Sequence, residues 1–152
     1  MELMNFIAVV CDHAAHNALI QLTVIAVIFD TVFGIIRAIG EKKFNSSIGI
    51  DGIRRKAGVL ASLVLFALID EIIQLNLIGF IPEEVRITLG LEFIGMTGFF
   101  ALLFSAYEAT SILKNMSLCG LPVKGVWIKV RAVLGKYTDE LPGIVEEIDD
   151  EQ

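Results

Sequence analysis

The stretch VIAVIFDTVFGIIRAIG, residues 24–40, is typical of a helix that crosses a membrane. A crossing helix needs about 20 mostly apolar residues, because each residue adds about 1.5 Å and the hydrocarbon layer is about 30 Å thick. One residue interrupts the pattern, namely Asp30, near the middle of the stretch. A carboxylate at that depth costs about 2.5 to 3.5 kcal/mol. We therefore expect Asp30 to have a use.

The whole chain has the composition of a membrane protein. Of its 152 residues 55% are hydrophobic, and its mean hydropathy is +0.74. Soluble domains hold roughly 45 to 50% apolar residues even with glycine counted. The sequence predicts an all-α membrane protein with three transmembrane helices in residues 18–107, preceded by an interfacial segment at 1–17. The predicted spans are about 18–39, 57–80 and 86–107.

The basic residues predict the orientation in the membrane. They follow the first span, in GEKKFNSSIGIDGIRRK (40–56), and the third, where Lys114, Lys124, Lys129, Arg131 and Lys136 lie. On the other side only Arg86 remains. Cytoplasmic loops carry the excess of Lys and Arg. We therefore expect a multi-pass protein of the cytoplasmic membrane with its N-terminus outside and its C-terminus inside.

Asp30 is one of several acids in the predicted spans. The candidate residues for a polar face, lining a pore or lying between helices, are Asp30, Asp70, Glu71, Gln74 and Glu92. Thr23, Asp30 and Gly34 share one face of the first helix at 100° per residue. Such faces can meet inside one protomer, or between protomers around water. A shifted or tilted second span, bringing Asp70 and Glu71 to an interface, is an alternative.

Small residues four apart let helices approach closely in lipid, where apolar side chains alone provide no drive to associate. The residues expected to pack one copy of the chain against another are Gly34, Ala38, Gly58, Ser62, Gly98, Ala101 and Ser105. Packing inside one protomer is the alternative for these pairs. We expect homo-oligomers in which sister copies shield the buried carboxylates.

The region after the spans, residues 108–137, contains the amphipathic segment LPVKGVWIKVRAVLGKY (121–137). Its apolar residues recur with a helical period, while its basic residues lie largely off that stripe, so we expect a helix on the anionic cytoplasmic leaflet. The residues expected at the membrane surface are Lys124, Trp127, Lys129 and Arg131. A helix docked on a neighbour is the alternative. Residues 138–152 are predicted to be a disordered acidic tail.

The chain has no recognisable enzyme chemistry. It contains no glycine-rich phosphate loop, nucleophile elbow or CxxC pair, and we expect neither catalysis nor a cofactor. Asp12, His13 and His16 alone are weak evidence for a metal site and favour ordinary interfacial side chains. The basic residues flank spans, so nucleic-acid binding is disfavoured.

The sequence resembles the phage-type holins, in particular the toxin-secretion and phage-lysis holins of clostridia and their relatives. The likeness covers about residues 28–136 and rests on FDTVFGIIRA, KKFNSS, G..RRKAG and SAYEATSILKNMSLCGLP. It implies a protein of the bacterial cytoplasmic membrane that assembles with itself into lesions. Through these an endolysin or a toxin leaves the cell without binding stably.

Two other functions stay open from the residues themselves. One is a small ion or proton channel, or a transporter subunit, that uses the intramembrane carboxylates. The other is an accessory membrane protein whose basic helix docks a soluble partner.

Overall fold

The computed structural model describes residues 2–42, 46–90 and 93–136, and every regular element in these ranges is an α-helix. The all-α prediction is therefore confirmed. Glu92 and the predicted acidic tail, residues 138–152, lie outside the described residues. The helices are α1 (Glu2–His16), α2 (Ala18–Gly40), α3 (Ser46–Ile73), α4 (Glu83–Leu89), α5 (Met96–Leu118) and α6 (Lys124–Leu134).

Asn17 separates the first two helices. Its backbone is extended, and its side-chain oxygen accepts hydrogen bonds from the N–H groups of Leu19 at 2.9 Å and Ile20 at 3.2 Å. These are N–H groups that a helix leaves unpaired in its first turn, so asparagine is favourable there. The predicted interfacial segment accordingly forms α1, and the first predicted span coincides with α2.

The second long helix, α3, differs from the predicted span at 57–80. Hydropathy locates only the apolar part of a helix, and α3 begins earlier, at Ser46, before an exposed Asp51–Arg54 ion pair at 3.3 Å. It ends at Ile73 because Gln74 has a φ of 50°, which a right-handed helix does not contain.

The third predicted span, 86–107, is wrong in position, because the long helix in this region is α5. Residues 83–89 form the short helix α4, which ends at Gly90 with a φ of 66°. Glycine adopts this left-handed conformation without steric cost. α5 then begins at Met96 and continues to Leu118.

The three long helices alternate in direction. α2 and α5 are parallel, because Leu19 lies beside Gly98 and Phe33 beside Cys119. α3 is antiparallel to both. The end of α2, the start of α3 and the end of α5 therefore lie on one side of the bundle.

Within the residues that the structure describes, two helices, α2 and α5, are long and apolar enough to cross a bilayer by length and composition. Residues 56–73 of α3 do not qualify, because they contain Lys56, Asp70 and Glu71. The third crossing, through α3, stays a prediction.

The bundle has an apolar surface and a partly polar interior. Ile25, Val32 and Ile36 of α2 are exposed, as suits a lipid-facing surface. The polar side chains buried within the described ranges are Thr23, Asp30, Thr97, Glu108 and Asn115. These polar groups therefore lie inside the bundle, where other helices can hydrogen-bond to them.

Candidate functional site

Asp30 lies at the centre of the bundle and is only 4% exposed. One carboxylate oxygen accepts a hydrogen bond from the Lys56 ammonium at 2.6 Å, and the other accepts one from the Asn115 amide at 2.9 Å. These partners come from α3 and α5. The charge of Asp30 is therefore compensated inside its own chain, and this arrangement needs no second copy to shield it. That Asp30 lines a pore stays a prediction.

Lys56 joins all three long helices. Its ammonium donates to the backbone oxygen of Val27 at 3.2 Å, to Asp30, and to the Glu108 carboxylate at 3.5 Å. An ammonium has three donors, so each is used. Asp30, Lys56, Glu108 and Asn115 form the charge cluster, with α3 supplying its ammonium.

Glu108 is the least compensated member of the charge cluster. Its side chain is fully buried, and its Oε1 atom has no hydrogen-bond partner among the described residues. Arg55 supplies a further positive charge from the edge, with a guanidinium nitrogen 4.0 Å from Asp30. Arg55 also donates to the Tyr107 hydroxyl at 3.0 Å and lies 5.1 Å from the centre of that ring. One ammonium therefore serves two buried acids directly.

Asn115 connects the cluster to the end of α2. Its amide nitrogen donates to Asp30, while its oxygen accepts a hydrogen bond from Arg37 at 3.0 Å. Asparagine can do both because its amide carries a donor and an acceptor.

A second polar contact joins α2 to α5 at Thr23, seven residues before Asp30. The Thr23 hydroxyl lies 3.0 Å from the Ala101 carbonyl and 2.9 Å from the Ser105 hydroxyl. A Cβ atom at Gly98 would lie only 3.3 Å from the Leu19 side chain. The two backbones approach closely here because the residues of α5 are small.

Most of the residues predicted to pack one copy of the chain against another make contacts within a single chain. Gly98, Ala101 and Ser105 face α2 of the same chain, and Gly34 faces Asn115. Ala38 and Ser62 are half-buried, and Ser62 donates to the backbone of Gly58 at 2.8 Å. A Cβ atom at Gly58 would meet nothing within 4 Å, so this glycine is open to a neighbour. Contacts between copies stay a prediction.

Asp70 has a different role from Asp30. Its two carboxylate oxygens accept hydrogen bonds from the N–H groups of Met96 and Thr97, each at 2.8 Å. These N–H groups begin α5, so Asp70 of α3 caps a neighbouring helix. The carboxylate fits because residue 95 is glycine: a Cβ atom there would lie 2.5 Å from its oxygen.

Glu71 and Gln74 lie near Asp70 but are used differently. Glu71 contacts His13 of α1 at 3.2 Å, and Gln74 is exposed beyond the end of α3. A cavity of about 320 Å³ lies beside Glu71 and Gln74. Its polar lining comprises His13, Asn17, Asp70, Glu71, Gln74 and Thr97.

The residues expected at the membrane surface all lie on α6. Lys124 and Lys129 are exposed, and Trp127 and Arg131 are half-buried. The helix also exposes the apolar side chains of Val126, Ile128 and Val133. Its docking on a lipid surface stays a prediction.

Sequence reasoning missed the roles of Lys56, Glu108 and Asn115. The sequence predicts only an effect on orientation for Lys56, as part of the basic segment 40–56, and the predicted third span ends one residue before Glu108. A signal existed, because Ala101, Glu108 and Asn115 are seven residues apart and share one helix face. All three are buried.

Comparisons with known proteins bear on the same residues. The sequence model of a family described as the bacteriophage holin family matches residues 8–136. The holin-like protein TcdE of Clostridioides difficile is 39% identical over 128 residues, which cover 84% of this chain and 77% of that protein. No solved structure matches this chain. The family match includes the charge cluster and α6.

Proposed function

Because this chain belongs to the bacteriophage holin family, whose members form pores and are not enzymes, we propose that it homo-oligomerises in the bacterial cytoplasmic membrane and forms lesions there. The lesions release a cell-wall hydrolase, which leads to lysis of the cell, or a toxin. The cargo passes through without binding stably.

The observation that carries this proposal is the charge cluster inside a bundle with an apolar surface. A protomer of this kind is compatible with lipid, because its charges pair inside the chain while apolar side chains face outward. It also carries the polar groups that a water-filled lesion needs. Charged residues within membrane helices are costly and are associated with such pathways.

The orientation that we propose is N-terminus outside and C-terminus inside. The end of α2, the start of α3 and the end of α5 share one side of the bundle, and that side carries Lys42, Arg54, Arg55, Lys114 and Lys124. Three crossings in alternating directions agree with this charge distribution. α6 then lies on the inner leaflet, where its basic residues meet anionic lipid.

Induced expression tests the proposal. We expect culture turbidity to fall and a cytoplasmic enzyme to appear in the medium, because a lesion that passes a hydrolase also passes other proteins. We expect Asp30→Leu to abolish both lysis and the oligomers trapped by chemical crosslinking. Leakage of ions with retention of every protein would instead favour the ion-channel alternative.

A further inference from the structure

The three long helices are joined with unequal strength. α2 and α5 hold each other along their length, through the Thr23–Ser105 contact, through the Asp30–Asn115 hydrogen bond and through the close approach at Gly98. Arg37 adds a further hydrogen bond to Asn115 at the far end. We call α2 and α5 the helix pair.

α3 is attached to the helix pair at separate points. At one end Lys56 contacts Asp30 and Glu108, and at the other Asp70 caps α5. Between them the rings of Phe66 and Phe100 stack, with centroids 4.1 Å apart and an interplanar angle of 6°. Where α3 meets Asp30 and Glu108, Lys56 supplies the ammonium that compensates both buried carboxylates.

From this arrangement we infer that Lys56 is a latch: it keeps the protomer closed, and a lesion opens when α3 leaves the helix pair and exposes Asp30, Glu108 and Asn115 as its lining. The inference rests on the proposed function and adds which helix moves and which residues meet water. Glu108 and Asn115 thereby become functional residues in addition to Asp30.

The charges explain why the latch favours the closed state and not the open one. In the closed bundle two carboxylates are out of water, so each depends on Lys56 for compensation. In a water-filled lesion the carboxylates are hydrated, and their need for the ammonium falls because water screens the charges. Loss of the ammonium therefore raises the free energy of the closed state more than that of the open state.

Substitutions at Lys56 and Glu108 then have opposite effects on the time of lysis. Lys56→Met leaves two buried carboxylates without their ammonium and should advance lysis, with the closed-to-open ratio falling about tenfold or more. Glu108→Gln leaves one carboxylate facing one ammonium and should delay lysis. A purely structural role predicts impairment by both, so opposite signs distinguish a latch from a packing residue.

Two controls accompany these variants. Arg54→Met removes an exposed positive charge on the same side of the bundle and should leave the time of lysis unchanged. The double variant Lys56→Met, Glu108→Gln should return lysis toward the parental time, because the second substitution removes one of the two buried carboxylates that the first leaves without their ammonium. Delay by Lys56→Met, or equal effects of Lys56→Met and Arg54→Met, would overturn the latch.

A crosslinking experiment tests the movement of α3 directly, even if Lys56→Met fails to fold. In full-length protein with Cys11→Ser and Cys119→Ser, the pair Phe66→Cys, Phe100→Cys is joined by a reducible bismaleimide. The matched control joins α2 to α5 through Thr23→Cys, Ser105→Cys, whose hydroxyl oxygens are 2.9 Å apart in the parent. Each protein is placed in vesicles of phosphatidylethanolamine and phosphatidylglycerol that contain fluorescent dextran.

We expect the α3–α5 crosslink to retain the dextran until reductant is added, and the α2–α5 crosslink to release it like the uncrosslinked protein. Release through the intact α3–α5 crosslink would overturn the latch and leave the proposed function standing. If uncrosslinked protein releases no dextran, the proposed function itself is wrong.

Discussion

Asp30 and Asp70 are both carboxylates near the middle of predicted spans, yet the structure satisfies them by different means. Asp30 faces an ammonium and an amide from two other helices, whereas Asp70 accepts two backbone N–H groups at the start of α5. The first arrangement depends on charge, and the second depends mainly on an acceptor. An acid in a membrane helix can therefore join helices together or cap the start of the next one.

The largest difference should come from replacing each acid by the same apolar residue. Asp30→Leu leaves the Asn115 amide without its acceptor and breaks the contact with Lys56. The cost should be roughly 3 kcal/mol, the lower end for breaking a buried ion pair, because Glu108 still faces the lysine. Asp70→Leu removes a cap, at about 1 kcal/mol. Thermal unfolding in detergent measures both. Equal losses of stability would mean that the protein depends on the two acids to the same extent.

A smaller difference should appear when only the charge is removed. Asp30→Asn weakens a hydrogen bond between charged groups, which is worth about 1.5 to 3 kcal/mol. Asp70→Asn should lower the free energy of unfolding by only about 0.5 to 1 kcal/mol, because the amide keeps one acceptor oxygen and loses one of the two hydrogen bonds from Met96 and Thr97. The same unfolding measurement applies, and a larger loss at Asp70 than at Asp30 would show that charge governs the cap as well.

Gly95→Ala tests the cap from the opposite side. The added Cβ would lie 2.5 Å from the Asp70 carboxylate and displace it, so the cost should be about 1 kcal/mol, close to that of Asp70→Ala. In the double variant the two effects should not add, since the same hydrogen bonds are lost only once. Full additivity in a double-mutant cycle would mean that Gly95 serves another purpose.

The smallest effect is expected at the contact between His13 and Glu71. His13 is largely exposed, and exposed ion pairs contribute about 0 to 1 kcal/mol. His13→Gln should therefore lower the melting temperature least among these variants. A loss as large as that of Asp30→Leu would place α1 among the helices that hold the bundle together.

Much of the fold was predictable where one helix carries its own signal. The position of α2 was predictable because its apolar run is long. The boundaries of α3 and α5 were not predictable from hydropathy, because α3 continues into charged residues and α5 begins where Asp70, distant in sequence, caps it.

The candidate site was predictable only in part, for a related reason. Periodicity showed that Thr23 and Asp30 share a face, and the structure buries both. The identity of the partners depends on how helices meet, which a pattern within one helix does not contain. Lys56 and Glu108 come together with Asp30 only because α3 runs antiparallel to α2 and α5.

A charge exchange between Asp30 and Lys56, measured as lysis of an induced culture, tests most directly whether these two residues pair within one chain. All variants carry Glu108→Gln, because Glu108 would otherwise face the new aspartate at position 56. In that background Asp30→Lys and Lys56→Asp should each change the time of lysis, and the double exchange in one chain should return it to the time seen with Glu108→Gln alone. Co-expressing the two single variants should not restore it, because each chain then keeps a mismatched pair. Restored lysis in the co-expression culture would show that the pair forms between copies, and would contradict the account.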